Sequence, residues 1–185
     1  MTRFKKSGRQ ILITLADYEE AVLESMVEQL IGLLEGDGVR ASSDDPFAQW
    51  EADMAEPGGL DTSDPVIARL FPPAYRDDPP AEQEFRRFTE TAQRRTRIEQ
   101  AHVVLNGLLE TNAGRDPAIV RNIDVEAWLK TIAAIRLSLS VRLGIETADD
   151  IEHLENLDDD EPHAVLYNMY EWLGYFLEGL LDKVG

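Results

Sequence analysis

Val165-Leu166-Tyr167-Asn168-Met169-Tyr170-Glu171-Trp172-Leu173-Gly174-Tyr175-Phe176-Leu177-Glu178-Gly179-Leu180-Leu181 decides the fold. Val165, Leu166, Met169, Trp172, Leu173, Phe176, Leu177, Leu180 and Leu181 recur at spacings of three and four, the period of a helix with one apolar face. Asp160-Glu161-Pro162 supplies an acidic start with proline near the first helical position. The apolar face is wide, which predicts a helix central to the core.

Three more segments repeat that period. Leu15 to Glu35 carries a stripe of Tyr18, Val22, Met26, Leu30 and Leu33, with Leu23, Val27 and Leu34 beside it. Asp17 or Thr14 is the candidate cap, Gly36 and Gly38 the stop, and Glu19, Glu20, Glu24 and Glu28 are placed on the outer side. Asp77-Asp78-Pro79-Pro80 introduces a long helix over about Ala81 to Thr111, and Asp124 caps another over Val125 to Leu143, closed by Gly144. The latter's stripe is Val125, Trp128, Ile132, Ile135 and Leu139. Asp64-Pro65 opens a short helix that Pro72-Pro73 ends, and Asp149 to Leu157 is a second short candidate.

Strand character is confined to the start. Arg3-Phe4-Lys5-Lys6, the turn dipeptide Ser7-Gly8 and Arg9 to Leu15 read as a hairpin, because β-branched residues follow a turn. Residues 36–63 read as an acidic mobile loop, interrupted at helical spacing by Phe47, Trp50 and Met54, which suit a short amphipathic turn. The expectation is a mainly α, single-domain helical bundle over residues 1–185 with a small N-terminal β-hairpin.

Composition narrows the chemistry. The chain has 185 residues, 18 Lys+Arg against 36 Asp+Glu, a net charge of −18 and no cysteine. Without a thiol there is no cysteine nucleophile, disulfide switch, cysteine zinc site or iron–sulfur cluster. The apolar run Ile11-Leu12-Ile13 is too short for an export core, and no stretch has the length of a membrane span. A cytoplasmic protein with no membrane contact is expected. The anionic field opposes phosphate backbones, so direct nucleic-acid binding is disfavoured.

Arginines form the most specific local feature. Arg86, Arg87, Arg94, Arg95 and Arg97 share one helix, and Arg86, Arg94 and Arg97 fall on one strip that continues through Ala101, Leu105 and Leu108. One reading pairs them with carboxylates at the domain end; Asp77, Asp78 and Glu90 are candidates, and the planar guanidinium suits a two-pronged pair from Arg86 or Arg87. The other reading is an anion or nucleic-acid groove, extended by Lys5, Lys6 and Arg9. His153 and His163 flank an acidic run that matches no calcium loop, so a solvated acidic loop is expected there. His102 reads as a core-edge histidine. Phosphate loops, dinucleotide fingerprints, nucleophile elbows and zinc motifs are absent from the sequence, and no catalytic, cofactor or metal residue is assigned.

Asp64-Pro-Val-Ile-Ala-Arg-Leu-Phe-Pro-Pro-Ala-Tyr-Arg-Asp-Asp78, Glu84-Phe-Arg-Arg-Phe-Thr-Glu90 and Asp124-Val-Glu-Ala-Trp-Leu through Arg142-Leu-Gly-Ile145 carry a family resemblance. They resemble an actinobacterial family of oxidative-stress regulators, the AosR family. The resemblance implies a transcriptional regulator that senses oxidation through a cysteine pair and works with a stress sigma factor. A chain lacking cysteine departs from it at that point.

The leading expectation is therefore a non-enzymatic regulator that contacts a protein partner, a sigma factor or the transcription machinery by resemblance, with no cofactor. Its recognition surfaces would be the acidic loops and the arginine strip, the candidate residues being Arg69, Arg76, Asp77, Asp78, Arg86, Arg87, Arg94 and Arg97. The alternatives are a direct DNA-binding regulator and an enzyme whose anionic substrate is held by Arg69, Arg76, Arg86 and Arg87. A homodimer is compatible with the sequence.

Overall fold

The computed structural model describes residues 1–36, 61–158 and 161–184. The loop expected over residues 36–63, with its Phe47, Trp50 and Met54 turn, lies almost wholly outside the described residues. In chain order the elements are β1 (Arg3–Ser7), β2 (Gln10–Thr14), α1 (Asp17–Glu35), α2 (Pro65–Leu70), α3 (Pro79–Leu109), β3 (Ala118–Arg121), α4 (Val125–Arg142), α5 (Ala148–Glu155) and α6 (Pro162–Val184). The mainly helical expectation holds.

Strand is not limited to the hairpin. β3 joins it as a third antiparallel strand, in the order β1-β2-β3, with Ile11 opposite Val120 and Ile13 opposite Ala118. Ala118 and Val120 point into the core while Ile119 and Arg121 point out, the period-two alternation of a half-buried strand. Four residues are too few for that signal to stand out between Asp116-Pro117 and the Asp124 helix start.

α4, not α6, is the central helix. It packs against α1, α2, α3, α6 and β3. Its predicted stripe is buried throughout, and Trp128 is 1% exposed with its ring stacked on Phe176 at 6.2 Å. α6 lies against one side of α4, burying Leu173, Phe176 and Leu180, and it uses Tyr167 to receive Leu154 of α5. Its apolar face is wider than these neighbours cover, so Val165 and Leu181, predicted to be core, stay exposed.

The sheet closes the end of the bundle. Phe4 stands edge-on to Phe176 at 5.2 Å, and Trp172 donates from Nε1 to the Thr2 hydroxyl at 2.9 Å.

The start of α1 departs from expectation. Glu19 and Glu20, placed outside on the sequence, are 6% and 5% exposed. Glu19 Oε2 accepts the Ala16 N–H at 2.8 Å, so it caps the helix in place of Thr14 or Asp17. Glu20 Oε1 accepts the Thr111 hydroxyl at 2.5 Å from the turn that follows α3. Acids in a first turn meet free N–H groups and the positive end of the helix dipole, which offsets their burial. The other end follows the sequence: Gly36 adopts φ +75° and donates to the Gly32 and Leu33 carbonyls.

Candidate functional site

The arginines gather where α2 meets α3. Asp64 caps α2 by accepting from Val66 N–H at 2.7 Å, and Pro72-Pro73 stops the helix, leaving the carbonyls of Leu70 and Phe71 without helical donors. Two residues of α3 supply donors. Arg97 Nη2 donates to Leu70 O at 3.1 Å, with its guanidinium carbon 5.1 Å from the centre of the Phe71 ring. Arg86 Nη2 donates to Phe71 O at 2.9 Å. Burial pushes the Arg97 guanidinium below its ordinary pKa.

Arg86 is a three-way fork. Besides Phe71 O, its Nε reaches Glu82 Oε1 at 2.7 Å and its Nη1 lies 3.7 Å from Glu90 Oε2. The two-pronged pair on one carboxylate does not form; the fork is shared between Glu82 and Glu90, one turn before and one turn after it. Glu82, which the sequence reading did not single out, also accepts the N–H groups of Ala74 and Tyr75 at 2.8 and 2.9 Å. These bonds, the one from Tyr75 first, hold its carboxyl below the ordinary value.

The remaining candidates scatter. Asp78 is the N-cap of α3, accepting from Ala81 N–H at 3.1 Å, so it serves the helix and not an arginine. Asp77 and Arg76 are exposed. Arg87 is exposed beside the exposed Phe88. Arg94 is buried. Arg69 faces a cleft of about 650 Å³ between α2, α3 and α4, with Arg97 and Lys130 on the same walls and no acid among its lining residues. That cleft joins Arg69 and Arg97 only; Arg76, Arg86 and Arg87 do not converge there.

His102, expected at the core edge, is exposed on α3. The acidic run between His153 and His163 is described only in part, and among the described residues no group of three or more His, Cys, Asp or Glu side chains could hold a metal ion. No helix among the described residues is long and apolar enough to cross a membrane.

A second concave feature was missed as a site. α1 and α6 both pack on α4 and make no substantial contact with each other. The gap is an apolar groove of about 410 Å³ that runs into a second cavity of about 340 Å³, the two sharing Val22 and Met169. Tyr18, Val22, Met26 and Leu33 form one wall, and Val165, Met169 and Trp172 the other. The sequence reading took the α1 residues for a core stripe. Of that stripe only Leu30 is buried; the rest of the buried face is the set beside it, Leu23, Val27, Ile31 and Leu34. Periodicity reports an apolar face but not what covers it.

The chain belongs to the family described as a domain of unknown function, DUF2017, whose model matches residues 1–184. It is similar to the oxidative stress regulator AosR of Mycobacterium bovis (strain ATCC BAA-935 / AF2122/97) and of Mycobacterium tuberculosis (strain ATCC 25618 / H37Rv). Each is 28% identical over 194 residues, a span that covers 95% of this chain and 83% of the relative. No solved structure matches the chain.

Proposed function

We propose that this protein is a non-enzymatic regulator of the oxidative-stress response that acts by contacting a protein of the transcription machinery, such as a sigma factor or the polymerase. The observation that carries this reading is the similarity to regulators so named along nearly the whole chain. Physical features support the mode of action. The net charge of −18 favours basic protein surfaces over phosphate backbones. Arg86 and Arg97, the best-placed cations of the strip, are spent on carbonyls of α2 and on two internal acids. The sensing step differs from the cysteine-pair mechanism that the family resemblance implies, because a chain without cysteine forms no disulfide.

The purified chain is to be tested for binding to polymerase core, to stress sigma factors and to promoter DNA, at low and high salt. Binding to one of the proteins, with none to DNA alone, is expected. Binding to DNA alone that falls steeply with salt would overturn this reading in favour of direct nucleic-acid contact.

One observation favours a second reading. The cleft lined by Arg69, Arg97 and Lys130 has no acid among its described lining residues, although Arg97 donates to Leu70 O and Lys130 pairs with Glu126 at 2.6 Å. A small anion held there, as substrate or effector, would give a saturable thermal shift that Arg69→Ala removes.

A further inference from the structure

We propose that the groove between α1 and α6 is the docking site for one amphipathic helix of a partner protein, whose apolar stripe is flanked by lysine or arginine. This rests on the protein-contact reading above and adds the surface and the chemistry of the partner.

The groove has the shape of a missing helix. α4 forms its floor through Ile135 and Leu139, α1 and α6 form its walls, and the walls are held apart. In a bundle, helices that share a neighbour normally close on each other 8–10 Å apart (about one helix diameter). Among the described residues the space between them is open and apolar. From Tyr18 to Leu33 the α1 wall spans about 22 Å, which matches roughly four turns of a docked helix.

The walls present apolar side chains to that space. Tyr18 is 69% exposed and Val165 45% exposed, and Met26 and Met169 line the middle. Methionine is unbranched and polarizable, so it adapts to the side chains of a docking helix. A groove of this kind is read by residues at i, i+3, i+4 and i+7 of a partner helix.

Charge selects among occupants. The chain carries −18 overall, and Glu28 and Glu171 are exposed on the two wall helices; Glu19, at one end of the groove, is buried and already lies 3.6 Å from the Met1 amine. Among the described residues that line it, Arg142 is the one cation. A second copy carries the same net charge of −18 and is repelled. The chain's own residues 37–60 contain Asp37, Asp44, Asp45, Glu51, Asp53 and Glu56 against Arg40 alone, so they too carry the repelled sign. A basic amphipathic helix gains from both the stripe and the rim.

The test uses the full chain and two fluorescein-labelled synthetic helices of about 18 residues. Both carry leucines at i, i+3, i+4 and i+7; one has lysine flanks, the other glutamate. Fluorescence anisotropy should show the lysine peptide binding at least about tenfold more tightly than the glutamate peptide, and weakening as salt rises. Val22→Glu should weaken lysine-peptide binding by about tenfold or more, with Arg87→Ala as an unaffected control. Met26→Ala and Met169→Ala, which introduce no buried charge, keep the test open should Val22→Glu unfold by circular dichroism; each should weaken binding.

Equal affinity for the two peptides, no binding, or binding that ignores all groove variants would overturn the proposal. So would a concentration-dependent doubling of mass that groove variants abolish, which assigns the groove to a second copy. Tighter peptide binding in the Phe47→Ser, Trp50→Ser, Met54→Ser variant would assign it to the chain's own segment. Lysine-peptide binding without any contact to transcription proteins would leave the groove standing and remove the regulatory reading; the reverse outcome would remove only the groove.

Discussion

Arg97 reaches back 27 residues to donate to the carbonyl of Leu70, the last residue of α2, while its guanidinium lies against the ring of Phe71. The same residue thus satisfies an orphan helix-end carbonyl and lines the cleft that Arg69 faces. Replacing it with alanine leaves the Leu70 carbonyl buried beside a space and removes the ring contact. A loss of about 1–3 kcal/mol in urea unfolding is expected. Arg87→Ala, at an exposed position off the strip, should change stability by no more than about 0.5 kcal/mol. Equal effects at the two positions would contradict the structural role given to Arg97.

Glu82 predicts an acid-side dependence. Hydrogen bonds from Tyr75 N–H, from Arg86 and from Ala74 N–H hold its carboxyl below its ordinary value of 4.5. A folded-state pKa below the unfolded one adds stability above the unfolded value, and that stability is lost as pH falls through the folded one. Melting temperature should therefore be higher for the wild type than for Glu82→Gln at pH 7, with the gap shrinking below about pH 4.5. Asp150 is also held low, by N–H groups of Glu146 and Thr147. Its contribution is also lost on the acid side, so the informative quantity is the difference between wild type and variant. A gap that stays constant down to pH 3 would show that Glu82 contributes through packing alone.

Two glycines inside helices should respond in opposite directions to alanine. At Gly107 on α3, a Cβ would sit 2.9 Å from Cζ2 of Trp128, the buried ring at the centre of the core. Overpacking against an immobile indole costs about 1–3 kcal/mol, against which the better helix propensity of alanine returns about 1 kcal/mol. Gly107→Ala should lower stability and shift tryptophan emission. At Gly32 on α1, a Cβ meets nothing within 4 Å, so Gly32→Ala should raise stability by about 0.5–1 kcal/mol. Chemical denaturation of both variants checks the pair, and a stabilising Gly107→Ala would refute the close approach of α3 to α4.

The sequence carried the helices because each has a long apolar period and a chemical stop: Asp64 and Asp78 as caps, Pro72-Pro73 and Gly36 as ends. What it lacked was the third dimension. The four-residue β3 is too short to outweigh its neighbours, and its partner strand lies more than 100 residues earlier. Glu19 and Glu20 look like a solvated face until Thr111 and the bared helix start are brought to them. The arginine strip was legible as a feature, and so was Glu90 as an acid near Arg86, but the Leu70 and Phe71 carbonyls that Arg97 and Arg86 also serve belong to the backbone and have no letter in the sequence. The groove escaped for a related reason: two apolar stripes run side by side on α1, and only the separation of α1 from α6 tells which one is left uncovered.

Methionine oxidation reads that separation directly. Met26 and Met169 lie on apolar stripes of the sequence, and Met54 lies outside the described residues. In the structure Met1 is 86% exposed, and Met26 and Met169 are half-buried, lining the groove from opposite walls. Brief peroxide treatment should therefore convert Met1 to the sulfoxide fastest among these three, with Met26 and Met169 following at similar rates without unfolding. Cross-linked dimers should not form, since there is no thiol. Peptide mass spectrometry at short times checks the order. A docked helix should slow Met26 and Met169 together while leaving Met1 unchanged, because both sulfurs would lose contact with solvent at once. Oxidation of Met26 without Met169 would mean that the two walls do not share one solvent-filled groove.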